Sequence, residues 1–279
     1  MKRSILALVA VGTFLFPRLS GAQKVYRIGA LVADDQFVPA FEGFKKKMAE
    51  LGYSEGKNIR YDLQNAQGDR ERLKKLAQKL VQDKPDLIVT SSTTATVPVA
   101  KLTEGTSLPV VFLSAGDPLR FVKSYASSGN NMTGISTSSL DLIEKRMDLL
   151  KEIVPGAKRV IALQVPGGVN YEAARRLTRE AAKKLGLALV EVEAGGPEEI
   201  KSKISVLILR KLGEGVFVPP DAAVINAIEE IAQQAIREGL PAIGANVENV
   251  RRGLLASYSS DYYSLGQQGA VLADKVLRF

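Results

Sequence analysis

The 279-residue chain contains no cysteine, no histidine and no tryptophan. Without cysteine it has no disulfide framework, no thiolate nucleophile, no cysteine-ligated zinc and no iron–sulfur cluster. Without histidine it lacks the commonest general base and the commonest transition-metal ligand, and a Ser-His-Asp triad is impossible. No cofactor and no metal are expected. Hydrophobic residues make up 46% and charged residues 24%, which excludes both a disordered chain and a multi-span membrane protein. Single cores stop growing at roughly 250–300 residues, so two lobes are the natural expectation.

The N-terminus reads as an address. Met1-Lys2-Arg3 is followed by an apolar run over 5–16 and then by Ser20-Gly21-Ala22. A basic start, a short apolar stretch and a small-x-small end make a secretory signal peptide over 1–22. The run is shorter than the roughly 20 residues that span a bilayer, and Pro17 and Arg18 close it. With no cysteine at the cleavage point there is no lipid tether, so the expected location is the periplasm. The net charge of +8 falls on removal of Lys2, Arg3 and Arg18, and the remaining excess is dispersed. No basic stripe interleaved with aromatics invites nucleic acid, and Lys45-Lys46-Lys47 reads as a solvated helix face.

From residue 25 onward strands and helices alternate. Strands are expected over 25–32, 58–63, 86–90, 108–113 and 132–135, with helices over 39–51, 70–81 and 94–102 between them. The pattern then restarts. Helices are expected over 140–154, 171–185, 198–212, 222–238 and 262–277, and strands over 159–163, 187–192, 215–218, 241–243 and 254–258. Such alternation calls for α/β architecture with parallel sheets covered on both faces. A break near Thr137 divides it into two doubly wound, Rossmann-like lobes. The expected division is an N-terminal lobe of 23–136 plus 262–279 and a C-terminal lobe of 137–261. The chain would cross between them near 136–139 and 259–261, the geometry of a hinge.

In open α/β sheets ligands sit at the carboxyl ends of strands, beside helix N-termini. The residues that follow the strands are therefore the site candidates: Asp34 and Phe37; Ser91, Ser92 and Thr93; Ser114 and Asp117; Gln164; Asp221; Asn246; and Asp261. The Ser91–Thr94 run offers hydroxyls and free N–H groups at a positive helix end, which suits a carboxylate; a plain N-cap is the equal alternative. Asp221 and Asp261 would suit an ammonium group, though Asp221 also reads as an N-cap. Phe37, Tyr258, Tyr262 and Tyr263 offer stacking surface, and aromatics at element ends are more often core. Pro166-Gly167-Gly168 is not a dinucleotide fingerprint, and there is no Walker A, G-x-S-x-G or HExxH motif.

Several segments taken in order carry a resemblance. They include Tyr26-Arg27-Ile28-Gly29, Phe41-Glu42-Gly43-Phe44, Asp86-Leu87-Ile88-Val89-Thr90, Asn131-Met132-Thr133-Gly134, Glu144-Lys145-Arg146, Arg252-Gly253-Leu254-Leu255-Ala256-Ser257-Tyr258 and Asp261-Tyr262-Tyr263-Ser264-Leu265-Gly266. The sequence resembles the ABC transporter substrate-binding protein family with the type I periplasmic-binding fold, in the tryptophan- and tyrosine-type amino-acid receptor group. The resemblance implies a two-lobe receptor, not an enzyme. It closes on a small solute (an amino acid or a small carboxylate or aromatic compound) and hands it to an inner-membrane ABC permease. It places Ser91, Ser92 and Thr93 in the first-lobe ligand loop with Ser114 and Asp117 beside it, and Asp221 at the acidic position of the second lobe. Amino-acid-binding members often carry an acid near Asn246, where this chain has an amide. Relatives also continue past the final helix, so a C-terminally shortened chain is expected. The alternatives are an exported sensory receptor of the same fold and an exported enzyme working through carboxylates.

Overall fold

The computed structural model describes residues 24–278; the expected signal peptide lies outside the described residues. The first sheet is built from β1 (Tyr26–Val32), β2 (Ile59–Asn65), β3 (Leu87–Ser91), β4 (Val110–Ala115) and β5 (Met132–Ser136), in the order β2-β1-β3-β4-β5. All of its pairings are parallel. Between the strands run α1 (Val38–Glu50), α2 (Arg70–Gln82) and α3 (Thr93–Thr103), with short 3-10 turns at Asp35–Phe37 and Pro118–Arg120. β3 and β4 are buried at every position, as expected of central strands covered on both faces.

The second sheet has the order β10-β9-β8-β6-β7, again parallel throughout. Its strands are β6 (Arg159–Gln164), β7 (Ala188–Glu193), β8 (Gly215–Phe217), β9 (Ala242–Gly244) and β10 (Ala256–Ser257). Its helices are α4 (Ile143–Ile153), α5 (Tyr171–Lys184), α6 (Pro197–Leu207), α7 (Ala222–Ile225), α8 (Ile228–Arg237) and α9 (Val247–Arg251). The period-2 alternation of the strands divides its core. Ile161, Leu163, Val216 and Val218 pack with α6, α7 and α8 on one face. Val160 and Phe217 pack with α4 and α5 on the other. This is the two-lobed α/β architecture expected from the sequence.

The last helix, α10 (Tyr262–Arg278), returns to the first lobe, where Ala270 and Ala273 join the core. Two glycines let it come backbone to backbone against α1. A Cβ on Gly43 would lie 2.0 Å from the carbonyl oxygen of Tyr263, and one on Gly266 would lie 1.8 Å from that of Ala40. No side chain fits at either crossing point.

Three elements differ from the sequence expectation. The helix expected over 222–238 is two, α7 and α8, separated at Asn226 and Ala227. The helix expected over 198–212 ends at Leu207; Ile208 turns extended, and its carbonyl accepts from Gln234 Nε2 at 2.9 Å, which starts the return to β8. The short helix α9 escaped the periodicity. Its capping box pairs Asn246 with Asn249 in place of the usual Ser/Thr and Glu/Gln.

Candidate ligand-binding cleft

The carboxyl ends of β1, β3 and β4 face those of β6, β8 and β9 across a cleft, and each strand end delivers a polar loop into it. The loop after β3 is held under strain. Ser92 has φ +94° and ψ 154°, a region that is essentially glycine's and costs about 1–3 kcal/mol. Three hydrogen bonds over-determine it. Its Oγ accepts from Ala95 N–H at 3.1 Å, its own N–H donates to Ser114 Oγ at 3.1 Å, and its carbonyl accepts from Thr96 Oγ1 at 2.7 Å. Ser92 thereby caps α3 and turns the N-terminus of that helix toward the cleft. The next hydroxyl, Thr93 Oγ1, accepts from Gly116 N–H at 2.8 Å, which leaves its own hydrogen free to donate.

Ser91 lies one layer behind. Its hydroxyl donates to the Phe37 carbonyl at 3.2 Å and pairs with Ser114 Oγ at 2.8 Å. Since Ser91 spends its hydrogen on Phe37, Ser114 donates to Ser91. The pair fixes the ends of β3 and β4 and the Phe37 loop relative to one another.

These groups form one wall of a small interlobe cavity of about 40 Å³. Phe37, Ser92, Thr93, Thr94, Ser114, Gly116 and Tyr262 line it from the first lobe's side, and Asn170, Pro220, Ala222, Ile225, Ala245 and Asn246 from the second's. Thr137 and Ser139, on the connection between the sheets, complete it. The rings of Phe37 and Tyr262 stand 5.4 Å apart, tilted by 53°. Burial pushes the Tyr262 hydroxyl up to about 12, against the smaller opposing effects of Asn246 and Arg146. Among the described residues no carboxylate, lysine or arginine lines this cavity.

Beside it the cleft becomes acidic. Asp34 and Asp221 line an adjoining pocket with Arg70, Thr94 and Asn226. Asp221 is 4% exposed. One oxygen accepts from Ala223 N–H at 2.8 Å and the other from Asn170 N–H at 3.4 Å. Burial raises its carboxyl above the ordinary value, outweighing these bonds and the influence of Arg70. A buried carboxylate without a directly bonded cation is costly, so a cationic ligand group would relieve it. Farther out, the mouth is wide and lined by charges of both signs, including Asp35, Asp69, Glu71, Lys201, Glu229, Arg251 and Arg252.

Two buried polar atoms in this region lack a hydrogen-bond partner, Asn170 Oδ1 and Gln36 Nε2. Asn170 is oriented by its Nδ2, which donates to the Pro220 carbonyl at 3.0 Å. Gln36 is oriented by Asn246, whose Nδ2 donates to Gln36 Oε1 at 3.0 Å. An unpaired buried polar atom costs about 1–3 kcal/mol. In a cleft it marks a place where a ligand would complete the bonding.

The structure thus brings Phe37, Ser92, Thr93, Ser114 and Asn246 to one cavity and Asp34 and Asp221 to its neighbour. It places the other sequence candidates elsewhere. Ser91 is behind the wall. Asp117 opens the Pro118–Arg120 turn and lines neither cavity. Gln164 reaches toward Glu191 on the adjacent strand, 3.5 Å away, and lines neither cavity. Asp261 caps α10, accepting from Ser264 N–H at 2.9 Å and Ser264 Oγ at 2.6 Å. Sequence reasoning missed Asn170, Gln36, Thr137, Ser139 and Arg146. Asn170 carried a signal as an Asn immediately before a helical pattern, and Gln36 lies in the loop after β1 that supplied Asp34 and Phe37. Among the described residues no cluster of acidic side chains is arranged to hold a metal ion, and no helix is long and apolar enough to cross a membrane.

Comparison with known proteins gives a consistent picture. A family model described as ABC transporter substrate binding protein matches residues 27–278. The tyrosine-binding protein of Clostridioides difficile (strain R20291) is 30% identical over 260 residues, covering 92% of this chain and 74% of that protein. The crystal structure of a conserved domain protein from Vibrio cholerae superposes with a TM-score of 0.83 at 27% identity, covering 91% of this chain and 86% of that one. An ABC domain in complex with L-Trp from Streptococcus pneumonia superposes with a TM-score of 0.82 at 24% identity, covering 91% and 85%. The fold is that of the type I periplasmic binding proteins.

Proposed function

Because the chain belongs to the ABC transporter substrate-binding protein family, we propose that it is an exported periplasmic receptor that captures an amino-acid-like solute between its lobes and presents it to an inner-membrane ABC permease. The observation that carries this reading is the interlobe cavity. It is neutral, rich in hydroxyls and flanked by an aromatic pair on one side and a buried acid on the other. The N-terminus of α3, with Thr93 and Thr94, suits a carboxylate. Asn170 Oδ1 and Asp221 suit an ammonium group. Phe37 and Tyr262 suit a flat or apolar side chain. The names of the two amino-acid-binding relatives support the same class of ligand.

On this reading the N-terminal lobe is 23–136 with 262–279 and the C-terminal lobe is 137–261. The crossings near 136–139 and 259–261 act as the hinge. Ligand bound to both walls favours the closed arrangement by its differential affinity for it. The Asn246–Gln36 bond and a second contact, Arg120 Nη1 to the Val169 carbonyl at 2.9 Å, join the lobes in the closed form.

The test is a thermal-shift and calorimetric screen of the chain from Gln23 against L-tyrosine, L-tryptophan, the remaining amino acids and aromatic carboxylates. A ligand at about 100 times its Kd stabilises the folded state by about 2.7 kcal/mol, a shift of several degrees in Tm. Absence of any shift or heat across the panel overturns the reading. Turnover of a bound compound would instead favour an enzyme.

A further inference from the structure

Arg146, on α4, is fully buried, and its guanidinium is held only by neutral oxygens. Nε donates to the Tyr258 carbonyl at 2.8 Å, Nη1 to the Ser139 carbonyl at 2.6 Å, and Nη2 to Ser139 Oγ at 3.3 Å and the Ala245 carbonyl at 3.0 Å. Among the described residues no carboxylate pairs with it. Burial pulls its pKa down to about 10, and the phenol of Tyr262 is the one ionisable group acting in the opposite sense. A buried cation is ordinarily paired with an anion, since its desolvation is costly.

Its surroundings show where an anion would come from. Ser139 and Ala245, which carry three of its four hydrogen bonds, line the interlobe cavity, as does Tyr262. The guanidinium therefore sits one residue layer behind a wall that bears no fixed charge of its own. The buried acid of the cleft, Asp221, belongs to the adjoining pocket. The cleft has a positive pole behind Ser139 and a negative pole at Asp221.

We propose that Arg146 is a specificity-determining residue, its uncompensated charge selecting ligands that bring a carboxylate into the cavity. This inference rests on the amino-acid reading above and deepens it to zwitterionic ligands. Arg146 acts through Ser139 and Ala245 without touching the ligand. At an effective dielectric of about 20, a unit charge one residue layer away changes the affinity for an anion by an order of magnitude or more.

The experiment compares Kd for L-tyrosine with L-tyrosinamide, and L-tryptophan with L-tryptophanamide, in the unaltered protein, Arg146→Gln and Arg146→Lys. The amide keeps the ammonium and the ring and removes only the negative charge. The unaltered protein is expected to prefer the acid at least about tenfold. Arg146→Gln should weaken the acid while leaving the amide nearly unchanged, so that the preference collapses. Arg146→Lys keeps the charge but not the planar set of donors, so its Tm should fall while the preference persists. Acid and amide weakened in parallel by Arg146→Gln would make Arg146 a mere strut between the crossings and overturn the inference. So would equal affinity for acid and amide in the unaltered protein. If Arg146→Gln does not fold, Arg146→Lys decides: preference retained supports the inference and preference lost overturns it. Failure of the unaltered protein to bind any of the four compounds overturns the amino-acid reading itself, and this inference with it.

Discussion

Asn246, at the end of β9 in the second lobe, donates from its side-chain amide to Oε1 of Gln36, in the first lobe, at 3.0 Å, and both residues are buried. The contact spans the cleft, and its geometry is set from behind. Asn249 N–H donates to Asn246 Oδ1 at 3.0 Å, which forces the Asn246 Nδ2 toward Gln36. That in turn aims Gln36 Oε1 at Asn246 and leaves Gln36 Nε2 without a partner.

Asn246→Ala removes both the cap of α9, worth about 1 kcal/mol, and the partner of a buried carbonyl, worth about 1–3 kcal/mol. The expected loss is about 2–3 kcal/mol by urea unfolding. Gln36→Ala should cost less, because Asn246 keeps its cap. The double variant should lose less than the two single losses combined; strict additivity would show that the two amides do not interact.

Ser92→Gly should raise stability while weakening the site. Glycine relieves a φ of +94°, worth about 1–3 kcal/mol, and replacing a serine cap by glycine costs only a few tenths. A net gain of about 1 kcal/mol is expected, together with a lower affinity for any solute that raises the Tm of the unaltered protein. A loss of stability would mean that the strain at Ser92 is not real.

Gly266→Ala and Gly43→Ala should each destabilise by about 3 kcal/mol or more, in line with severe overpacking. The added methyl meets a backbone carbonyl that no rotamer change can move aside. Gly156→Ala, where nothing lies within 4 Å, is the control and should change stability by less than about 0.5 kcal/mol. Equal effects at the three positions would contradict the close α1–α10 crossing.

Asp221→Ala should weaken binding of a cationic or zwitterionic solute at least about tenfold without unfolding the protein. The pH dependence of stability has a defined sign. Burial raises the folded carboxyl above its ordinary value of 3.8, so the ionised group detracts from stability at neutral pH. That cost shrinks as pH falls through the raised value and is gone below 3.8. The stability of the unaltered protein relative to Asp221→Ala should therefore improve between pH 7 and pH 4. A constant difference over that range would place Asp221 in a more polar environment than its burial implies.

The periodicity of the chain was enough to read both sheets and most helices. Apolar runs such as Leu87-Ile88-Val89 and Val110-Val111-Phe112 have few alternatives to buried parallel strands. The rule that ligands gather at strand ends then named Phe37, Ser92, Thr93, Ser114 and Asn246, which the structure gathers at one cavity; that rule is local and needs only the residues after each strand. It also nominated Gln164 and Asp261, whose side chains are engaged by Glu191 and Ser264, and Asp117, which lines neither cavity; only packing reveals this.

What the sequence by itself determined is the class of structure and the chemistry it excludes. With no histidine or cysteine, and with two alternating α/β runs, the chain is a two-lobed body with polar strand ends. What only the tertiary structure decided is which polar atoms are left unsatisfied once the lobes meet. Asn170 Oδ1, Gln36 Nε2 and the unpaired charge of Arg146 owe their character to partners up to 210 positions away in the chain. Hydrogen-bond satisfaction and desolvation depend on such contacts, and no local pattern in the sequence encodes them.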